Sequence, residues 1–175
     1  MIISVEKAKE LIQIPESWKA EKITMKLKAI EQTIRKYTNN TFQETAYRVT
    51  ADIVGGLFVA DIPAPFSIGD TVQISESGFN KGLFVIASCD DTTFTVEEET
   101  VEEEAVLVTK IVYPDDVIDC ALNLLEWEIN HRGKIGVKSE TLSRHSVTYE
   151  DSASMFNGYP KGILSAVDIC KKARF

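Results

Sequence analysis

Few side chains in this 175-residue sequence stand at spacings that would support catalysis or metal binding. His131 closes a predicted helix and His145 lies in an extended segment, and neither has a cysteine or carboxylate at the spacing of a zinc ligand set. Ser143 and Ser165 lack the strand–turn–helix setting that exposes a nucleophilic serine. We therefore expect no catalytic residue, no metal ligand and no cofactor, and we expect that the protein is not an enzyme.

The three cysteines, Cys89, Cys120 and Cys170, are far apart and form no CxxC pair. Free cysteine is among the most buried residue types, so we interpret them as buried thiols in a protein made in a reducing cytoplasm. Residues 1–12 carry charges where a secretory signal needs an apolar core, so we expect no export signal. We also expect no membrane span, because no stretch approaches the necessary run of apolar residues.

The most acidic stretch is Glu97 to Glu104, EEETVEEE. We interpret it as the solvated tip of a hairpin between two strands. A carboxylate cluster for a divalent cation is the alternative. Cation-binding loops usually contain Gly or Asn to bend the chain around the ion, and this run contains neither.

The chain is organised around a predicted helix from Pro114 to Arg132. Pro114 suits the first helical position, and the aspartates that follow suit the positive end of the helix dipole. Gly133 follows as a stop signal. The apolar positions of this helix form an arc wider than one surface helix needs, so we expect the helix to contact at least two other elements. The apolar positions are Val117, Ile118, Cys120, Ala121, Leu122, Leu124, Leu125, Trp127 and Ile129.

Two helices are predicted before it, a short one from Ser4 to Ile12 and a long one from about Glu16 to about Tyr37. The long helix repeats apolar residues at alternating spacings of four and three, namely Ile23, Leu27, Ile30, Ile34 and Tyr37. We interpret its basic residues as a solvated face; they are Lys19, Lys22, Lys26, Lys28, Arg35 and Lys36.

Between these helices the pattern changes to six short β-branched segments separated by turn residues. They are TAYRVTADIV, LFVADI, TVQIS, GLFVIASC, TFTVEEE and EAVLVTKIV, and they predict a small antiparallel barrel or sandwich. Residues 45–112 contain 12 acidic and 3 basic residues, a net charge of −9, whereas the rest of the chain is nearly neutral. Such a segment is unsuited to gripping DNA phosphates, which requires Lys and Arg.

After the central helix, residues 138–149 predict a strand or hairpin, and a last helix is predicted with Pro160 at its first position. The predicted fold class is therefore α+β, a small bundle of about four helices interrupted by a small antiparallel β-barrel or sandwich insertion. We predict a discontinuous helical domain, residues 1–44 and 113–175, and an inserted acidic β-domain, residues 45–112.

Without the insertion, the order of elements resembles the head–tail connector proteins of long-tailed bacteriophages and prophages, also called adaptor or head-completion proteins. The matching stretches are Ile34 to Phe42, the start of the central helix at Pro114 to Val117, Ser139 to Tyr149, and the final helix opened by Gly158-Tyr159-Pro160. The insertion, with Phe66 to Asp70 and Asn80 to Ile86, is similar to a β-domain found inserted in some phage structural proteins. Compact members of the family have a short loop at that position.

This resemblance implies a structural virion protein, made in the bacterial host cytoplasm, that forms a dodecameric ring at the head–tail interface. The ring would dock beneath the portal protein and join a stopper or tail-completion protein, and genomic DNA would pass through its channel without specific binding. The acidic insertion would face outward or line the channel, and we favour the outward position because it needs room. Candidate partner or oligomer contacts are Lys22, Lys26, Trp127, Arg144, His145, Tyr149, Phe156, Tyr159, Arg174 and Phe175.

Three other functions remain open, of which an enzyme of unrecognised class is the least favoured. The chain could be a stand-alone interaction module whose β-insert binds a peptide or a surface ligand. A barrel of the oligonucleotide-binding type would need basic residues interleaved with exposed aromatics, and 3 basic residues against 12 acidic ones argue against it.

Overall fold

The computed structural model describes residues 1–131, 139–142, 145–148 and 154–173, with side chains described for 1–131 and 154–173. The chain divides into two compact units. The barrel unit consists of Met1 and Thr41–Tyr113, and the helical unit consists of Ile2–Asn40 and Pro114–Phe175.

The barrel unit is a closed antiparallel barrel with strand order β1-β2-β5-β4-β3-β6. Its strands are β1 (Gln43–Val54), β2 (Leu57–Ala60), β3 (Thr71–Ser75), β4 (Gly82–Asp90), β5 (Thr93–Val96) and β6 (Glu103–Ile111). All six predicted strands are thus present. β1 and β6 pair through Val49 opposite Val108 and Ala51 opposite Val106, which closes the barrel and leaves no free edge along this seam.

The barrel has its own core, because alternate side chains along each strand point inward. Phe58 and Phe94 face each other across β2 and β5, and their rings stack with centroids 4.8 Å apart. The buried set is Val49, Ala51, Ile53, Phe58, Ala60, Phe66, Val72, Ile74, Ile86, Phe94, Val106 and Val108. Gly55 and Gly56 form the turn between β1 and β2 with φ values of 58° and 82°, which favour glycine.

The helical unit contains four α-helices and a 3₁₀ helix among its described residues. The helices are α1 (Val5–Leu11), α2 (Ala20–Thr38), α3 (Asp115–His131) and α4 (Lys161–Leu164), and the 3₁₀ helix is Ser165–Cys170. Short strands complete it: β7 (Ser139–Leu142) pairs with β8 (His145–Thr148), and β9 (Met155–Phe156) pairs with β10 (Tyr159–Pro160). Ser4 caps α1 by accepting a hydrogen bond from the Lys7 amide at 3.2 Å.

The apolar stripe of α2 is confirmed as core, since Ile23, Leu27, Ile30 and Ile34 are fully buried. α3 contacts α2, α4 and the 3₁₀ helix, so the prediction that it packs against at least two elements is also confirmed. Its buried row differs from the expected leading row, because Ile118, Leu122 and Ile129 are only partly buried. The fully buried positions are Val117, Cys120, Ala121, Leu124 and Leu125.

The predicted fold class, a helical bundle interrupted by a small β-insertion, is wrong. The dominant architecture is a closed six-stranded barrel, and the described helices belong to the other unit of the chain. Among the described helices only α2 and α3 exceed two turns, because α1 has 7 residues and α4 has 4. The expected C-terminal helix breaks into a 3₁₀ helix with non-helical φ and ψ at Val167, so it cannot supply a long bundle member. Pro160 precedes α4 in extended conformation and is not its first residue.

Candidate assembly surface of the helical unit

One buried carboxylate links three segments of the helical unit. Glu128 of α3 has a side chain that is only 1% exposed, and its Oε2 lies 3.1 Å from the ammonium Nζ of Lys26 in α2. The Tyr159 hydroxyl donates a hydrogen bond of 2.7 Å to Glu128 Oε1. A buried charge is tolerated only when it is paired and hydrogen-bonded. We refer to Lys26, Glu128 and Tyr159 as the Glu128 cluster.

Two candidate contact residues therefore lie within the fold. Tyr159 is buried, and the Lys26 ammonium meets a buried carboxylate, so the interpretation of Lys26 as part of a solvated face is wrong. The sequence analysis missed Glu128, because a glutamate inside an apolar helical arc gives no indication of its partner. Its place in the same row as Leu124 and Leu125 was the available signal.

Trp127 covers one side of this cluster and is half-buried. Its ring lies 5.9 Å from the Tyr159 ring at 59° and stacks on His131 at 6.1 Å and 14°. Tilted and offset aromatic contacts of this kind add to the free energy of burial. Trp127 and His131 thus form a half-exposed aromatic ledge on α3. Lys22, in contrast, is exposed on α2, and its ammonium lies 3.8 Å from the ring centroid of Trp18.

A second cluster ties the end of the described chain to α2. The Tyr37 hydroxyl donates to Asp168 Oδ1 at 2.8 Å, and Lys171 Nζ lies 2.7 Å from the same oxygen. Lys171 also sits 4.0 Å from the Tyr37 ring centroid, and the Phe156 ring meets Tyr37 edge-on at 5.2 Å. We refer to Tyr37, Phe156, Asp168 and Lys171 as the C-terminal clasp.

The electrostatics of the clasp follow from these contacts. Hydrogen bonds from Lys171 and Tyr37 lower the pKa of Asp168, because they stabilise its charged form. The hydrogen bond to Asp168 raises the pKa of Lys171 for the same reason. Both groups lie at the surface, where solvent screens the pair, so the clasp positions the chain more than it stabilises it.

Backbone contacts extend the clasp toward the end of the described residues. The Lys172 amide donates to the Thr38 carbonyl at 2.8 Å, and the Asn39 side-chain amide donates to the Ala173 carbonyl at 3.0 Å. Asn40 donates to the Cys170 carbonyl at 3.0 Å. Asn39 has a φ of 50° and ends α2 in the left-handed conformation that Asn tolerates.

Five candidate contact residues cannot be assigned side-chain positions. Arg144, Tyr149, Arg174 and Phe175 lie outside the described residues. His145 is the first residue of β8, where only the backbone is described. The other five of the ten candidates have described side chains. Lys26 and Tyr159 belong to the Glu128 cluster, and Trp127 packs against Tyr159. Phe156 belongs to the C-terminal clasp, and Lys22 lies at the start of α2 in neither cluster.

The glutamate run of the barrel is more structured than a solvated tip. Glu103 accepts hydrogen bonds from Ser77 Oγ at 2.6 Å, from Asn80 Nδ2 at 2.8 Å and from the Gly78 amide. These donors lower the pKa of Glu103 to about 2, with the Ser77 hydroxyl contributing most. Glu98 and Glu102 likewise accept backbone hydrogen bonds, at 3.1 Å and 3.3 Å.

Glu103 thereby holds the loop Ser77–Asn80, which we call the pinned loop. Asn80 is buried, and it exchanges two hydrogen bonds with the Val101 backbone, at 2.9 Å and 2.8 Å. Phe79, in the middle of this loop, is 77% exposed. Because this loop is held in one conformation, little conformational entropy would be lost if Phe79 bound a partner, which makes Phe79 a candidate contact residue. The sequence analysis did not identify Phe79.

Within the described residues, no three His, Cys, Asp or Glu side chains come together as a metal site. Among the helices described, none has the length and apolar character that crossing a bilayer requires. The Cys120 thiol is buried beside Asp119, and burial raises its pKa to about 11, which makes it a poor nucleophile.

No protein-family model matches the sequence, and no curated protein matches it either.

Proposed function

We propose that this protein is a structural component of a tailed-phage particle, a head–tail connector that forms a ring beneath the portal and joins the filled head to the stopper or tail. The observation that carries the proposal is the resemblance of two distant segments to this family. These segments, roughly residues 1–44 and 113–175, contribute to one compact helical unit. The Glu128 cluster joins α2 of the first segment to α3 and Tyr159 of the second.

The charge of the chain supports a role beside DNA without specific binding to it. The segment 45–112 carries 12 acidic and 3 basic residues, and acidic surfaces repel the phosphate backbone. Lining the channel, the barrel would let DNA pass without adhering. Facing outward, it would form a soluble collar, which is the position we favour. In either position the protein does not need the contacts between Lys or Arg side chains and phosphates that a nucleic-acid-binding protein makes.

The proposed self-contacts and portal contacts use the exposed residues near the helical unit's aromatic ledge and the start of α2. Lys22 is exposed there, whereas Lys26 and Tyr159 act by holding the unit together. In a closed ring, one surface of each copy contacts a different surface of the next copy, so every copy presents both surfaces. Residues outside the described part of the chain, Arg144, Tyr149, Arg174 and Phe175, remain candidates for the portal contact.

The direct test is electron microscopy of the purified protein, alone and mixed with a portal protein from the same phage or prophage. We expect rings, or extra density beneath the portal, in the mixture. Lys22→Glu should reduce this assembly, whereas Lys9→Glu, the matched reversal at an exposed lysine of α1, should leave it unchanged. A protein that stays monomeric and does not bind the portal would overturn the proposal.

The second candidate is a stand-alone interaction module whose barrel binds a peptide or surface ligand. The exposed Phe79 on the pinned loop favours it. Selection from a displayed peptide library would test this function. Binding that is lost in Phe79→Ser and kept in Ile68→Ser, an equally exposed apolar position outside the pinned loop, would support the module. Failure to select any peptide would count against it.

A further inference from the structure

The outward side of α2 is an exposed face that no other described element lines. It lies opposite the buried stripe of Ile23, Leu27 and Ile30. Met25, near its middle, is 62% exposed, although most methionines are buried. The residues that line it all belong to α2; they are Ala20, Glu21, Thr24, Met25, Lys28, Ala29 and Gln32. We call this surface the outer face of α2.

The charges on this face are arranged symmetrically about one point. Glu21 and Lys28 stand at equal distances on either side of the midpoint between Thr24 and Met25. They are seven residues apart, so both lie on the same side of the helix, separated by about 10 Å along its axis. A second α2 running antiparallel about this midpoint would place its Lys28 opposite Glu21 and its Glu21 opposite Lys28. Two ion pairs would form at once.

The apolar and small residues fit the same arrangement. The two-fold axis would bring Met25 against Met25 of the second copy and Thr24 against its counterpart. Ala20 and Ala29 flank the contact with short side chains, which lets helix axes approach to about 8 Å. A parallel pairing would place Glu21 against Glu21 and Lys28 against Lys28, so like charges oppose it.

We propose that the outer face of α2 is the docking site for a second copy of this chain, which packs antiparallel about a two-fold axis through Thr24 and Met25. Lys28 also interacts within its own chain, and its ammonium has three N–H donors, so it can bond a further carboxylate. The contact covers about three turns of helix, which is small for a protein interface, so the dimer has a Kd in roughly the micromolar range.

This dimer goes beyond the proposed ring, and the two are independent. A two-fold contact uses the same surface on both copies and closes after two, whereas a ring uses two different surfaces. The dimer is therefore an assembly state of the free protein. Its absence would leave the ring proposal standing, and the absence of a ring would not affect the dimer.

Sedimentation velocity over a concentration series tests the proposal with charge reversals. The wild type should form a measurable dimer in a series that extends to roughly 100 µM. Glu21→Lys and Lys28→Glu should each raise the Kd of the dimer about tenfold or more. The double variant restores both pairs, because each reversed residue meets the other in the second copy, and its Kd should return to within about threefold of the wild type. A strictly monomeric wild type, or a double variant as weak as the singles, would overturn the proposal.

A cysteine pair provides a second measurement that does not depend on charge. Met25→Cys should form an intermolecular disulfide under mild oxidation, since the two positions meet at the axis. Lys36→Cys, an exposed position about 16 Å further along α2, is the matched control and should not exceed the background of Cys89, Cys120 and Cys170. Circular dichroism of each variant verifies folding. A dimer that cross-links equally at both positions, or at neither, does not use this face and would refute the proposal.

Discussion

Replacing Lys26 by methionine should destabilise the helical unit strongly, because it removes the ammonium group that is paired with the buried Glu128 carboxylate. The Glu128 side chain is 1% exposed and lies 3.1 Å from the Lys26 ammonium. Breaking a buried ion pair by removing one partner costs about 3–5 kcal/mol in the free energy of unfolding. Tyr159→Phe removes one hydrogen bond to the same charged group and should cost about 1.5–3 kcal/mol.

Tryptophan fluorescence is a selective assay for this effect. The chain has two tryptophans, Trp18 and Trp127, and both belong to the helical unit. A denaturant or thermal transition followed by tryptophan emission therefore reports on this unit and not on the barrel. For a chain of this length, Lys26→Met should lower Tm by about 6 to 20 °C.

Two variants make the result specific to the buried charge. Lys9→Met removes an exposed lysine from α1 of the same unit and should change stability by less than about 0.5 kcal/mol. The double variant Lys26→Met/Glu128→Gln removes both charges but keeps an acceptor for Tyr159, so it should recover at least about half of the loss caused by Lys26→Met. Equal losses in Lys26→Met and Lys9→Met, or additive losses in the double variant, would refute the reasoning.

Three further predictions concern the barrel and the clasp. Phe58→Ala should destabilise the barrel by about 3–5 kcal/mol, because Phe58 is fully buried against Phe94, whereas Phe79→Ala at an exposed position should have little effect in the same calorimetric scan. The lowered pKa of Glu103, about 2 against 4.5, means that its stabilising contribution is complete above pH 5 and is lost as the pH falls toward 2. Glu103→Gln should therefore flatten the acid dependence of the barrel's stability, measured by calorimetry, and an unchanged slope would contradict this. Tyr37→Phe should accelerate hydrogen exchange at the Lys172 amide, which donates to Thr38, because it removes a hydrogen bond of the clasp; an unchanged exchange rate would show that the backbone contacts suffice.

The placement of individual elements follows from local patterns. The stripe from Ile23 to Ile34 predicted the buried side of α2, Ser4 predicted a helix start, and the β-branched segments between turn residues predicted the six strands of the barrel. All of these depend on neighbours within a few residues, because helix and hairpin hydrogen bonds are short-range in sequence. The sequence alone therefore determined where most helices and strands lie, and that the barrel is acidic.

Tertiary structure decided how these elements combine. Val49 of β1 pairs with Val108 of β6, and Phe58 of β2 pairs with Phe94 of β5. These long-range pairings close the six strands into a barrel, although the local sequence patterns fit a sandwich equally well. Lys26 looked like one lysine among several on a polar face until Glu128, about a hundred residues away, met it in the interior. Whether a charge is solvated or paired depends on the balance between desolvation and a partner brought by the fold. Sequence periodicity does not indicate which charged side chains are paired. Only the tertiary structure therefore shows that Lys26 pairs with a buried carboxylate whereas Lys22 is exposed.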